Sequence, residues 1–175
     1  MKKLLIVVDF QNDFVDGSLG FPKAVELDHK IAEKIKEYRK CNSDIIFTFD
    51  THGDDYINTV EGKHLPVPHC IKGTNGHKLY GEVGKLFDEK SDIYFEKVTF
   101  PSIELAKYLE NKNYDSVELC GLVSHICVLS NAVMVKASLP NAEIIIDKNL
   151  TSSHDESLNE QGFEVLKGLH VIIKE

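Results

Sequence analysis

The sequence predicts an α/β fold, a three-layer αβα sandwich around a mainly parallel sheet of five or six strands. Three observations carry this prediction. Short apolar runs rich in Val, Ile and Phe recur along the chain; longer amphipathic stretches separate them; and several runs are apolar nearly throughout, as strands covered on both faces must be. At 175 residues, 42% hydrophobic and 27% charged, the chain can bury a full core with no disulfide or structural metal to hold it.

The runs that read as strands are 4–8, 44–49, 93–96, 116–120 and 143–146, with a weaker sixth at 169–173. Between them, 24–39 reads as a helix, because Val25, Leu27, Ile31, Ile35 and Tyr38 share roughly one face with charges opposite. Ser102 is a candidate cap for a helix over 102–109, 126–138 is a long and largely apolar helix, and 154–166 follows a Thr151-Ser152-Ser153 capping cluster. Right-handed crossovers then place helices on both faces of the sheet. Residues 51–78 break this rhythm with Gly, Pro, His and Asn and little periodicity; a structureless connection of that length is usually functional. No repeat, low-complexity tract or linker marks a second unit, so one domain over 1–175 is expected.

Charge narrows the function. Twenty Lys and Arg against 28 Asp and Glu leave a formal charge of −8, which argues against nucleic acid or an anionic membrane surface as partner and favours a small molecule. The apolar run after Lys3 stops at Asp9, too short for a secretory core, and no other run approaches a membrane span. Cys41, Cys70, Cys120 and Cys127 form no CxxC pair; they read as reduced thiols of a cytoplasmic protein, one of them a candidate reactive group.

Ligands of open parallel sheets bind outside the carboxyl ends of the strands. Asp9, Asp50 and Lys97 each follow or close such a strand, and Cys127 lies just beyond the fourth, where 121–124 turns into a helix. A thiol there feels the helix dipole and nearby backbone N–H groups, with Lys97 available to favour the thiolate and Asp9 to take its proton. A second constellation joins Asp50 and His52 to His69 across the long loop, a carboxylate and two imidazoles suited to a divalent transition metal with positions left open. Glu61, His64 and His77 are further donors in that loop, whereas His29, His77, His125, His154 and His170 read individually as solvated side chains.

Four stretches carry a family resemblance: 7–14 (VVDFQNDF), 49–52 (FDTH), 68–74 (PHCIKGT) and 121–128 (GLVSHICV). In that order and strand context the sequence resembles the nicotinamidases of the isochorismatase-like cysteine hydrolase family, whose fold is Rossmann-like. The resemblance implies a catalytic triad of Asp9 as general base, Lys97, and Cys127 as nucleophile. It implies an oxyanion hole on the backbone N–H groups of Val123 and Cys127, with a cis peptide at Leu122–Val123. It also implies a divalent metal on Asp50, His52 and His69, zinc first with manganese or iron as alternatives, and Glu61 ahead of His64 as the further ligand. Relatives carry a ring-stacking aromatic shortly before the second metal histidine; here 65–68 is Leu-Pro-Val-Pro, and Phe14 with Phe100 are expected to form the apolar slot instead.

The expected reaction is hydrolysis of a small amide, nicotinamide first, through an acyl-thioester. The rivals are a ureido or carbamoyl substrate on the same chemistry, and a phospho-accepting receiver domain built on Asp9, Asp50 and Lys97. The resemblance further implies a homo-oligomer.

Overall fold

A computed structural model covering residues 1–175 contains one six-stranded sheet. Its strands are β1 (Lys3–Val8), β2 (Asp44–Asp50), β3 (Ile93–Lys97), β4 (Ser116–Leu122), β5 (Glu143–Ser152) and β6 (Ile172–Lys174). The spatial order is β3-β2-β1-β4-β5-β6, and every neighbouring pair is parallel. This is the doubly wound order, whose winding reverses between β1 and β4 and opens a crevice at their carboxyl ends.

The helices are α1 (Asn12–Val15), α2 (Pro22–Val25), α3 (Leu27–Lys40), α4 (Val60–His64), α5 (Gly81–Leu86), α6 (Ile103–Leu109), α7 (Leu129–Ser138) and α8 (Glu156–Gly168). Alternation along β1 divides the core. Leu4, Ile6 and Val8 pack with residues of α6, α7 and α8 such as Leu105, Ala132 and Phe163. Leu5 and Val7 pack on the other face with Ile31 and Ile35 of α3 and Phe47 of β2. Both isoleucines are fully buried, each contributing about 1.5–3 kcal/mol from lost apolar exposure. One polar device interrupts this core: Glu118 of β4 accepts from the Tyr38 hydroxyl at 2.8 Å, and Lys34 stands 3.5 Å from its other oxygen.

Several sequence expectations need correction. The helix expected over 24–39 is two helices meeting at Glu26, and Val25 is exposed rather than on the buried face. The loop over 51–78 is not structureless: it contains a 3-10 turn at Tyr56–Asn58, α4 capped by the Thr59 hydroxyl, and a bridge from His52 to Ile71. β5 runs six residues beyond its apolar start, and Asp147-Lys148-Asn149 lie within a register irregularity against β4. β6 starts at Ile172 because Leu169 still caps α8 and His170 is left-handed (φ 62°). The cap of α8 is the Asp155 side chain, not the Thr-Ser-Ser run.

Candidate active site

The crevice between β1 and β4 collects the charged strand ends. Asp9 leaves β1 with φ 45°, a left-handed conformation that Asp tolerates better than most residues. Its Oδ1 accepts from the Thr48 hydroxyl at 2.7 Å, while Oδ2 meets the Lys97 ammonium at 2.6 Å and accepts no other regular hydrogen bond. Lys97 closes β3 with its ammonium also 3.2 Å from Asp50 Oδ1 and 3.7 Å from Cys127 Sγ. β4 reaches the crevice through Gly121 (φ 106°), where a Cβ would stand 2.0 Å from the Val8 carbonyl oxygen, so only glycine fits against β1. The Leu122–Val123 peptide is cis, and Ser124–Val128 forms a π-helical turn before α7 with Cys127 on it.

Electrostatics here departs from the sequence expectation for the thiol. Burial is the largest influence on Cys127 and raises its pKa; Lys97 opposes this, but Asp9 and Asp50 add to it, leaving the thiol protonated at rest. Burial likewise raises the Asp9 carboxyl, with Lys97 pulling against it. Burial alone would lower the Lys97 ammonium, but Asp9, Cys127 and Asp50 outweigh it and keep it charged. The cluster therefore holds a charged Lys97 ammonium, a protonated Cys127 thiol and an Asp9 carboxyl raised above its ordinary value.

Beside it lies a set of metal-type donors. Single ligand atoms of Asp50, His52, Glu61 and His69 all fall within 4.8 Å of one another. Asp50 Oδ2 is 2.9 Å from His52 Nε2 and 3.3 Å from His69 Nε2, and Glu61 Oε1 is 3.6 and 3.7 Å from the same two nitrogens. His69 Nδ1 donates to the Val67 carbonyl at 2.8 Å, which turns Nε2 into the cluster. Burial would lower the His69 imidazole, yet Asp50, the Val67 carbonyl and Glu61 together raise it. For Asp50 burial is outweighed by the hydrogen bonds with His52 and His69 and by Lys97, so its carboxyl stays ionised. His64 is exposed and stands outside this cluster.

A cavity of about 360 Å³ opens onto Cys127. Phe14, Leu65, Phe100, Val123 and Ile126 give it apolar walls, and Asp50, Glu61 and His69 form its polar end. Both expected slot residues border it, and the Phe14 ring lies 5.4 Å from the His69 ring.

Four supporting residues escaped the sequence reading. Gln11 is fully buried and clamps Asp50, accepting from its N–H at 2.8 Å and donating to its carbonyl at 2.9 Å. Asp13 accepts from the Cys70 N–H at 2.8 Å and so anchors the residue after His69. The Tyr56 ring packs 4.7 Å from His52 and 4.9 Å from His69. Asn131 donates to the carbonyls of Cys127 (2.8 Å) and Phe100 (3.1 Å), tying the thiol's turn to the cavity wall. Gln11 and Asp13 lie in the 7–14 stretch and were legible as neighbours of Asp9; nothing in the sequence marks Tyr56 or Asn131. His77, read as solvated, is instead half-buried with Nε2 2.8 Å from the Thr51 hydroxyl. All four cysteines are free thiols, and no helix is long and apolar enough to cross a membrane.

A doubly wound α/β sheet with an acid, an ammonium and a thiol converging at its switch point defines a class, the α/β enzymes that act on small molecules at strand ends. The chain belongs to the isochorismatase family: the isochorismatase domain model matches residues 3–174. It is 31% identical over 169 residues to an isochorismatase family protein, PncA, of Bacillus subtilis, with 89% of each chain covered. It is 27% identical over 211 residues to the nicotinamidase of Saccharomyces cerevisiae, covering 97% of each. Its fold superposes on the crystal structure of the Bacillus subtilis nicotinamidase/pyrazinamidase PncA with a TM-score of 0.89, over all of both chains at 27% identity. Family membership sets aside the receiver-domain reading.

Proposed function

We propose that the chain is a nicotinamidase, an amidohydrolase that converts nicotinamide and water to nicotinate and ammonia through a thioester on Cys127. The observation that carries this reading is the meeting of Asp9, Lys97 and Cys127 around one ammonium, 2.6 Å from the carboxylate and 3.7 Å from the sulfur, at a largely apolar cavity beside four metal-type donors. The named activity of the yeast relative agrees with it.

In this mechanism Asp9 Oδ2 takes the thiol proton, and Lys97 stabilises the thiolate as Sγ attacks the amide carbon. The N–H groups of Val123 and Cys127 receive the oxyanion, each such donor contributing about 10²–10³ in rate. Asp9 returns the proton to the leaving nitrogen, ammonia departs, and the acyl group remains on sulfur. Asp9 then deprotonates water, which adds to the thioester carbonyl; the thiolate leaves and nicotinate is released. Burial, by raising the Asp9 carboxyl, makes it a better acceptor for the thiol proton, while the Lys97 ammonium favours the thiolate left behind.

Asp50, His52, Glu61 and His69 fit a divalent metal: two imidazoles and two carboxylates match zinc, with manganese or iron compatible. When bound, the metal supplies a Lewis acid that a pyridine nitrogen can approach. Phe14 and Phe100 hold the ring, and the apolar walls exclude water.

The chain acts as one catalytic unit over 1–175. Self-association would cover Val98 and Ile103, exposed near Phe100, and light scattering tests it. The four free thiols support a reducing, cytoplasmic setting. The activity is tested by incubating metal-loaded protein with nicotinamide and measuring ammonia: stoichiometric nicotinate and ammonia are expected, and release from N-carbamoyl amines but not nicotinamide would replace this substrate with a ureido compound.

A further inference from the structure

Phe49 and Asp50 are consecutive in β2, so their side chains point to opposite faces of the sheet. Asp50 lines the catalytic cavity; Phe49 lines a second one, also of about 360 Å³. Its walls are aromatic: the Phe49 ring lies 5.3 Å from Phe87 and 5.6 Å from both Tyr94 and His77, with Phe87 and Tyr94 edge to face at 5.6 Å. Glu89 and Glu96 border it, and Lys78 is the one permanent cation among its lining residues.

Apart from the Lys78 ammonium, the polar groups left free here are acceptors. Glu89 accepts from the Tyr94 hydroxyl at 3.2 Å and is otherwise exposed, and Glu96 is paired with Lys72. The Thr51 hydroxyl donates to the Phe49 carbonyl at 3.2 Å, so at its 2.8 Å contact with His77 the imidazole Nε2 carries the proton and donates. That leaves Nδ1 as a lone-pair acceptor, and burial favours the neutral ring. Aromatic faces attract cations, carboxylates add to that field, and a neutral imidazole accepts from an N–H.

We propose that this cleft is a second ligand site, distinct from the catalytic cavity, for a planar aromatic cation bearing N–H donors, of the amidinium or aminopyridinium type. Lys72 neutralises Glu96 and Lys78 also lines the cleft, so discrimination against an anion of the same shape rests on the exposed Glu89. The assignment stands independently of the amidase reading, since none of its residues takes part in that chemistry.

Titration calorimetry with benzamidine, and with benzoate as the flat anion, tests it on the full chain. Benzamidine should bind saturably at one site, with benzoate at least tenfold weaker. Tyr94→Ala and the exposed Glu89→Gln should each weaken benzamidine at least threefold, and Phe14→Ala in the catalytic cavity should leave it unchanged. Should Tyr94→Ala fail to fold, Glu89→Gln alone decides. Absence of saturable binding, equal binding of benzoate, or weakening by Phe14→Ala but not by Glu89→Gln would each overturn the assignment.

Discussion

The thiol cluster and the metal-type cluster share one carboxylate but are built from different parts of the chain. Asp9 and Lys97 sit at the ends of β1 and β3, and Cys127 follows β4, so the buried sheet sets their spacing. Of the other cluster only Asp50 belongs to a strand; His52, Glu61 and His69 come from the connection that follows β2, held by Gln11, Asp13 and Tyr56. Asp50 joins the two, with Oδ1 toward Lys97 and Oδ2 toward the histidines. On the proposed mechanism, bond breaking rests on the strand ends and the metal-type donors on the connection after β2, the division expected where loops vary around a fixed framework.

This division can be broken at its two ends. Cys127→Ala removes the proposed nucleophile and should lower nicotinamide turnover by at least about 10⁴-fold while the protein still binds metal, as equilibrium dialysis would show. Asp50→Asn strikes both clusters at once: metal affinity and the rate with saturating metal should each fall by roughly 10²-fold or more, since the histidines lose their partner and Lys97 one of its two carboxylates. A loss confined to metal binding would show that the clusters are not joined through this residue.

Glu61→Gln should separate them. Metal affinity is expected to fall by about 10–100-fold, on the order found when metal-site partners are lost, with the maximal rate at saturating metal little changed. An equal loss of both would place Glu61 in the bond-breaking step.

The smallest effect lies away from the site. Burial and the hydrogen bond to Glu118 raise the Tyr38 phenol above its ordinary pKa of 10.0, so the fold favours the neutral form. The resulting stability is fully present below that value and is lost as pH rises above it. Tyr38→Phe should flatten this alkaline loss in urea melts at pH above 10 and cost about 1 kcal/mol at neutral pH, where Glu118 loses a donor.

What was legible in the sequence follows the same division. Asp9, Asp50 and Lys97 each end an apolar run, so the sheet rule alone brought them together, and β1 and β4 were legible because their residues are buried on both faces. The second half of β5 was not, since Asp147-Lys148-Asn149 carries polar side chains where the strand passes a register irregularity. Tyr56 and Asn131 act through contacts across the fold and leave no local pattern. The thiol's raised pKa was also hidden, because it depends on burial beside Asp9 and Asp50 rather than on its place near a helix start.

The most direct measurement is intact-protein mass spectrometry of metal-loaded enzyme quenched within a single turnover of nicotinamide. A gain of one nicotinoyl group, mapped to Cys127 and absent in Cys127→Ala, is the predicted result. Ammonia released at full rate with no adduct on Cys127, or turnover persisting in Cys127→Ala, would contradict the account.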